Sequence, residues 1–140
     1  MTQRLTPSLY ATASLTTAVM RLGGQYRRDR IAAADMISID DASKLTGTDR
    51  VTINIWIKRG RVIGVTNLRR GFRLPQWQFE PLILPLIEPI AKSLGTNDGW
   101  QLLGFLETAS SSLNGLTPRA AIEHGVSRER ILAVATAEAH

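Results

Sequence analysis

Apolar residues return along the chain at changing intervals, and the changes divide it. Near the N-terminus Ala11, Leu15, Ala18, Val19 and Leu22 recur at spacings of three and four, the period of a helix with one face to bury. Gly23-Gly24 comes next and breaks the pattern, so two helices are predicted, over residues 7–22 and 26–34. They can pack on the rest of the chain, dimerise or fray. A partner helix in a second copy would cover the apolar stripe, which makes residues 1–36 a candidate homodimerisation segment.

The pattern sharpens at Ser38, which precedes Ile39-Asp40-Asp41. A hydroxyl there can cap the first amides of a helix, with an acid three residues on, as in a capping box. Ala42 and Leu45 are expected to face inward, and Gly47 can take the left-handed conformation that ends a helix. Thr48 is then expected to cap a second helix, in which Ile53, Trp56 and Ile57 form an apolar stripe and Arg50, Asn54 and Lys58 fall on another face. Gly60 closes it. Two short helices joined by a tight turn, the second amphipathic, make a helix-turn-helix.

Past Gly60 the spacing changes again. Val62-Ile63-Gly64-Val65-Thr66 is rich in β-branched residues, Asn67-Leu68-Arg69-Arg70-Gly71 is turn-like, and Phe72-Arg73-Leu74 extends as far as Pro75, so a short β-hairpin is predicted. Trp77 and Phe79 are expected to pin this wing to the C-terminal domain. Beyond them the chain is apolar and segmented by Pro81, Pro85 and Pro89. Helices are predicted over residues 86–94, 99–107, 118–124 and 127–139, the second capped by Asn97 or Asp98. Thr117-Pro118 is a start signal, Gly125 a stop, and Ser110-Ser111-Ser112 a loop. The fold class is therefore mostly α: a winged helix-turn-helix with a short β-hairpin over residues 37–79, followed by a small helical C-terminal domain over residues 80–140.

Charge gives this frame a direction. The net charge is +5, yet residues 50–79 hold seven cations (Arg50, Lys58, Arg59, Arg61, Arg69, Arg70 and Arg73) and no anion, so the remainder sums to 5 − 7 = −2. A basic segment split between a helix face and a hairpin tip suits a surface facing double-stranded DNA. Arg50, Thr52 and Asn54 are the candidate base contacts, since arginine matches guanine and asparagine matches adenine in the major groove. Thr48, Lys58, Arg59, Arg61, Arg69, Arg70 and Arg73 are the candidate phosphate contacts.

Other chemistry finds no foothold in the sequence. There is no cysteine, hence no disulfide or thiolate metal site, which fits a reducing cytoplasm. His124 and His140 have no metal-ligand spacing around them. No phosphate loop, nucleophile elbow or paired-carboxylate arrangement occurs, so neither an enzyme nor a cofactor is expected. The start of the chain lacks a signal-peptide pattern, and the apolar run over residues 81–94 is too short and too interrupted to span a bilayer, so no membrane is expected.

Two resemblances add to this reading. Residues 39–47, with Thr52-Ile53, Trp56-Ile57 and Arg59-Gly60-Arg61, resemble the winged helix-turn-helix of MerR-like and excisionase-like DNA-binding proteins. Residues 72–79, Trp100, Phe105-Leu106, the run from Leu113 to Pro118 and the run from Ala120 to Gly125 are similar to the C-terminal domain of Xre/MbcA/ParS-type antitoxins. That domain's signature is a small-residue loop, a Thr-Pro helix start and a glycine before the last helix. The resemblances imply a cytoplasmic transcriptional regulator that represses its own operon as a dimer or larger assembly. They also imply a RES-domain toxin partner that consumes NAD, met by Leu113, Asn114, Gly115, Thr117, Pro118, Arg119, Arg128 and His140. Antitoxins of this family usually carry an Xre-type helical DNA-binding domain, whereas this chain has a wing. A stand-alone regulator or plasmid-maintenance protein, or a protein-binding adaptor whose wing meets an acidic partner, are the competing readings.

The assignment of base and phosphate contacts makes a prediction. Arg50→Ala is expected to relax sequence preference at one position and to cost about 1–3 kcal/mol, whereas Arg69→Ala weakens binding to every duplex alike. Gel shifts in which both variants bind like wild type would contradict it.

Overall fold

The computed structural model describes residues 9–68 and 71–139, with side chains at Ala18 and from Met20 onward within those limits. The chain divides into two compact units, Met1–Ala34 and Asp35–His140. Helix α1 (Leu9–Ile31) occupies the first. It runs unbroken through Gly23-Gly24, where a break was predicted. A glycine in a helix costs only about 1 kcal/mol relative to alanine, and the next turn is braced: Gln25 Nε2 donates to Asp29 Oδ1 at 2.8 Å and Arg28 Nη2 donates to Gln25 Oε1 at 3.0 Å. The first two residues of the predicted 7–22 helix, and the side chains of Ala11, Leu15 and Val19, lie outside the described residues. Leu22, from the same stripe, is exposed.

The second unit is built on β1 (Met36–Ser38), α2 (Ile39–Thr46), α3 (Arg50–Lys58), β2 (Arg73–Pro75), a 3-10 turn (Gln76–Phe79), α4 (Leu84–Leu94), α5 (Gly99–Glu107), α6 (Pro118–Glu123) and α7 (Arg128–Glu138), with a further 3-10 turn at Ser111–Leu113. The architecture is mostly α with one small antiparallel sheet, as expected. Local chemistry sets nearly every boundary. Ser38 Oγ accepts from the Asp41 amide at 3.0 Å while Asp41 Oδ2 accepts from the Ser38 amide at 3.3 Å, completing the capping box, and Gly47 ends α2 at a φ of 70°, a left-handed conformation open to glycine. Asp98, Thr117 and Ser127 cap α5, α6 and α7. Two corrections concern α3 and α4. Asp49, and not Thr48, caps α3, its carboxylate accepting from the Thr52 amide at 2.8 Å. Helix α4 begins before residue 86 and contains Pro89: Pro85 sits in the first turn, where no N–H is required, and Pro89 removes only the donor that would meet the Pro85 carbonyl.

The wing departs from a plain hairpin in its pairing. Strand β2 returns as predicted but pairs mainly with β1, in the register Met36 to Pro75, Ile37 to Leu74 and Ser38 to Arg73. Residues 62–66 join it through a single bridge, Val65 to Arg73, with N–O distances of 2.9 and 2.8 Å. A side chain occupies the place of a longer ladder. Gln78, fully buried, accepts from the Ile63 amide at 2.6 Å through Oε1 and donates to the Ile63 carbonyl at 2.8 Å through Nε2. An amide side chain presents the same donor and acceptor as a strand backbone, so Ile63 is satisfied without a neighbouring strand.

Residues 37–79 and 80–140, predicted as separate domains, form one unit. Ala42, Ile53, Ile57, Val62 and Leu74 make the helix-turn-helix core, with Trp56, Phe79 and Leu84 packed on it, and α4 packs against α7. Trp100 Nε1 ties the wing to α5, donating to the Thr66 carbonyl at 2.9 Å, and Asn97 Nδ2 ties the end of α3 to the α4–α5 loop, donating to the Lys58 carbonyl at 3.3 Å. A Cβ on Gly99 would fall 2.0 Å from the Gly64 carbonyl oxygen, so α5 can approach the wing only with glycine at its first position. No helix among the described residues is long and apolar enough to cross a membrane.

The Gln78 clamp predicts that Gln78→Leu, which strands a buried amide and a buried carbonyl, lowers unfolding stability by on the order of 3 kcal/mol. Urea unfolding of the full chain measures it; a loss within error of zero contradicts the clamp.

Candidate nucleic-acid interface

Helix α3 places its side chains in two groups. Ile53 and Ile57 are buried and Trp56 half-buried, while Arg50, Val51, Ile55 and Lys58 are exposed, followed by exposed Arg59 and Arg61. The two segments that supply cations are fixed from behind: α3 by the helix-turn-helix core, and the wing by Gln78 and Trp100.

The phosphate-contact candidates among the described residues lie at the surface or in the turn. Lys58, Arg59, Arg61 and Arg73 are all exposed, and no carboxylate of a described residue lies within ion-pair distance of any of them. The Arg61 guanidinium lies 4.6 Å from the centroid of the Trp56 ring, which restrains it without neutralising it. One Arg73 Nη donates to the Phe72 carbonyl at 3.1 Å. Thr48 belongs to the turn: its amide donates to the Ser43 carbonyl at 3.1 Å and its carbonyl accepts from the Ser43 hydroxyl. Arg69 and Arg70 lie outside the described residues.

The base-contact candidates are more committed than their spacing suggests. Arg50 Nε pairs with Asp40 Oδ1 of α2 at 3.2 Å, both side chains being largely exposed, so the pair is weak and open to competition. Asn54 Nδ2 donates back to the Arg50 carbonyl at 3.1 Å. The Thr52 amide donates to Asp49 Oδ1 at 2.8 Å, and hydrogen bonding from Thr52, the amide's first, holds the Asp49 carboxyl below its ordinary pKa. With Asp40 and Asp49 beside it, the N-terminal end of α3 is acidic, and the unpaired cations gather at its C-terminal end. Sequence spacing does not reveal this, because the Asp40–Arg50 pair depends on how α2 crosses α3.

Two candidates missed by sequence reasoning stand on the same outer face. Val51 and Ile55 are exposed, one helical turn apart; an apolar stripe pointing away from the core was the available signal. Leu45, expected inside, is half-exposed. With Trp56, Trp77, Phe79, Leu84 and Arg119 it lines a groove of about 730 Å³.

The partner-contact candidates do not form one patch. Leu113 and Pro118 are buried and cannot meet a partner. The Thr117 hydroxyl is spent on the α6 cap, accepting from the Ala120 amide at 3.0 Å. Arg119 stacks 4.5 Å from the Trp77 ring centroid and pairs with Glu123 at 3.5 Å. Burial of Leu113 follows from its place at the end of the 3-10 turn, where the loop folds under itself. Asn114, Gly115 and Arg128 remain exposed, and His140 lies outside the described residues.

Comparison of the chain with protein-family models, with curated proteins and with solved structures gives no match. The family likeness therefore stands on the sequence motifs alone.

The cap geometry yields a pH prediction. Because the folded state depresses the Asp49 pKa, its contribution is complete above the ordinary carboxylate range and is lost as pH falls through the depressed value. Asp49→Ala is expected to lower the melting temperature at pH 7 by a few degrees and Asp49→Asn by less, since asparagine also caps. The Asp49→Ala deficit should vanish once pH drops below the depressed pKa; a deficit unchanged by acid contradicts the assignment.

Proposed function

We propose that this protein binds double-stranded DNA and acts as a transcriptional regulator, with α3 presented to the major groove and the wing to the adjacent backbone. The observation that carries the reading is the set Lys58, Arg59, Arg61 and Arg73, four exposed cations with no carboxylate among the described residues at ion-pair distance. Desolvating such cations against protein carboxylates would have neutralised them internally; left free, they favour a polyanion and release its counterions. Their mounting on a helix-turn-helix and its wing selects duplex DNA among polyanions.

The fuller form of the proposal builds on the family likeness: an autorepressing cytoplasmic antitoxin, dimeric through α1, that neutralises a RES-type toxin. With Leu113 and Pro118 buried, this form of the proposal assigns the toxin contact to exposed Asn114, Gly115 and Arg128. Co-purification with the product of a neighbouring RES reading frame tests that form; its failure leaves a stand-alone regulator.

DNA binding itself is tested by fluorescence polarisation with a random duplex. Four phosphate contacts predict that affinity falls on the order of a hundredfold between about 50 and 200 mM salt, and that Lys58→Ala/Arg59→Ala reduces the log–log salt slope by about two. Absent or salt-independent binding contradicts the reading and favours a protein-binding adaptor.

A further inference from the structure

The outer face of α3 poses a chemical question. Two of the three side chains predicted to read bases already have a protein partner, Arg50 in Asp40 and Asn54 in the Arg50 carbonyl, and the third, Thr52, is only partly exposed. The exposed apolar side chains on that face are Val51, 69% exposed, and Ile55, 42% exposed. Both are β-branched, so neither is there for helix propensity, which ranks them below the straight-chain residues common on a solvated face. They stand at i and i+4, with Lys58 three residues further along the same face.

We propose that Val51 and Ile55 read the C5 methyl groups of two thymines in the major groove, and so set the sequence preference of the proposed DNA-binding surface. This inference rests on the DNA-binding reading and deepens it. The thymine methyl is the apolar group that the major groove displays, and apolar side chains recognise it by contact. Residues one turn apart hold their Cβ atoms about 5–6 Å from each other, and successive bases of a strand are about 3.4 Å apart. The two methyls therefore lie one or two base pairs apart. The unneutralised cations at the end of the same face, Lys58 and Arg59, complement the phosphates that flank such a site.

A second copy of the chain fits this face less well. Two side chains cover far less than the roughly 800 Å² per partner of a stable interface. A twofold contact centred on them would also bring Lys58 and Arg59 against their own copies, a like-charge juxtaposition.

The test uses the full chain. A preferred duplex is selected from a randomised pool, and each thymine in it is replaced in turn by deoxyuridine, which keeps the base pair and removes the methyl. Wild-type protein is expected to lose about fourfold in affinity at each of two positions one or two base pairs apart, the worth of one buried methyl. The Val51→Ala/Ile55→Ala variant should bind the thymine duplex more weakly by about the product of the two losses and be indifferent to both replacements. The log–log salt slope of its binding to random duplex should be unchanged, which shows that it folds and keeps its phosphate contacts. Equal wild-type affinity for all deoxyuridine duplexes, or a double variant that still senses the replacement, overturns the proposal while leaving DNA binding intact. A double variant whose only change is its mass by light scattering makes the pair a protein contact and also overturns it. Absence of any duplex binding at low salt sinks the underlying DNA reading instead.

Discussion

The fold hangs on a side chain acting as a strand. Residues 62–66 have the composition of a β-strand, yet they contribute one bridge to the sheet, and it is Gln78 that takes both the amide and the carbonyl of Ile63. In a buried site this exchange is demanding, because a donor or acceptor left unmet there costs far more than a hydrogen bond gains. It has a geometric consequence. Gln78 lies in the 3-10 turn that leads from β2 toward α4, so the same contact that satisfies the wing also fastens it to the helices behind.

That fastening explains why the cationic segments can serve as a surface. Helix α3 is held from its inner side by Ile53 and Ile57, and the wing by Gln78, Trp100 and the close approach of Gly99 to Gly64. Lys58, Arg59, Arg61 and Arg73 project from elements whose backbones are fixed, without carboxylates to draw them down. The acidic counterweight of the chain sits partly at the other end of α3, where Asp40 and Asp49 engage Arg50 and Thr52. Helix α3 thus carries a polarity: an acidic N-terminal end, an outer face on which Val51 and Ile55 stand exposed, and a basic C-terminal end running into the wing.

Much of this fold was legible in the sequence where a residue's role is settled within a few positions. The Ser38–Asp41 capping box, the Gly47 stop and the starts of α5, α6 and α7 are local hydrogen-bond chemistry, and the structure places them where the spacing did. Readings failed where the decisive partner is distant in sequence or the penalty is small. Gln78 replaces a strand fifteen residues away, Arg50 is met by Asp40 from the preceding helix, and Leu113 is drawn into the core by a loop that folds beneath itself. Gly23-Gly24 weakens a helix without forbidding it, and α1 passes through. The candidate site was read in the same uneven way: its cations follow from a charge count, whereas the engagement of Thr52 and Asn54, and the exposure of Val51 and Ile55, emerge only once the helices are assembled.

The central claim is that one face, made of the outer side of α3 and the wing, meets duplex DNA. Amide chemical-shift mapping of the isotope-labelled full chain during titration with a random duplex at low salt tests it most directly. Perturbations are predicted to concentrate at Val51, Ile55, Lys58, Arg59, Arg61 and Arg73, with the core faces of α4 and α7 unmoved. Perturbations centred instead on Asn114, Gly115 and Arg128, or none at all, would contradict it.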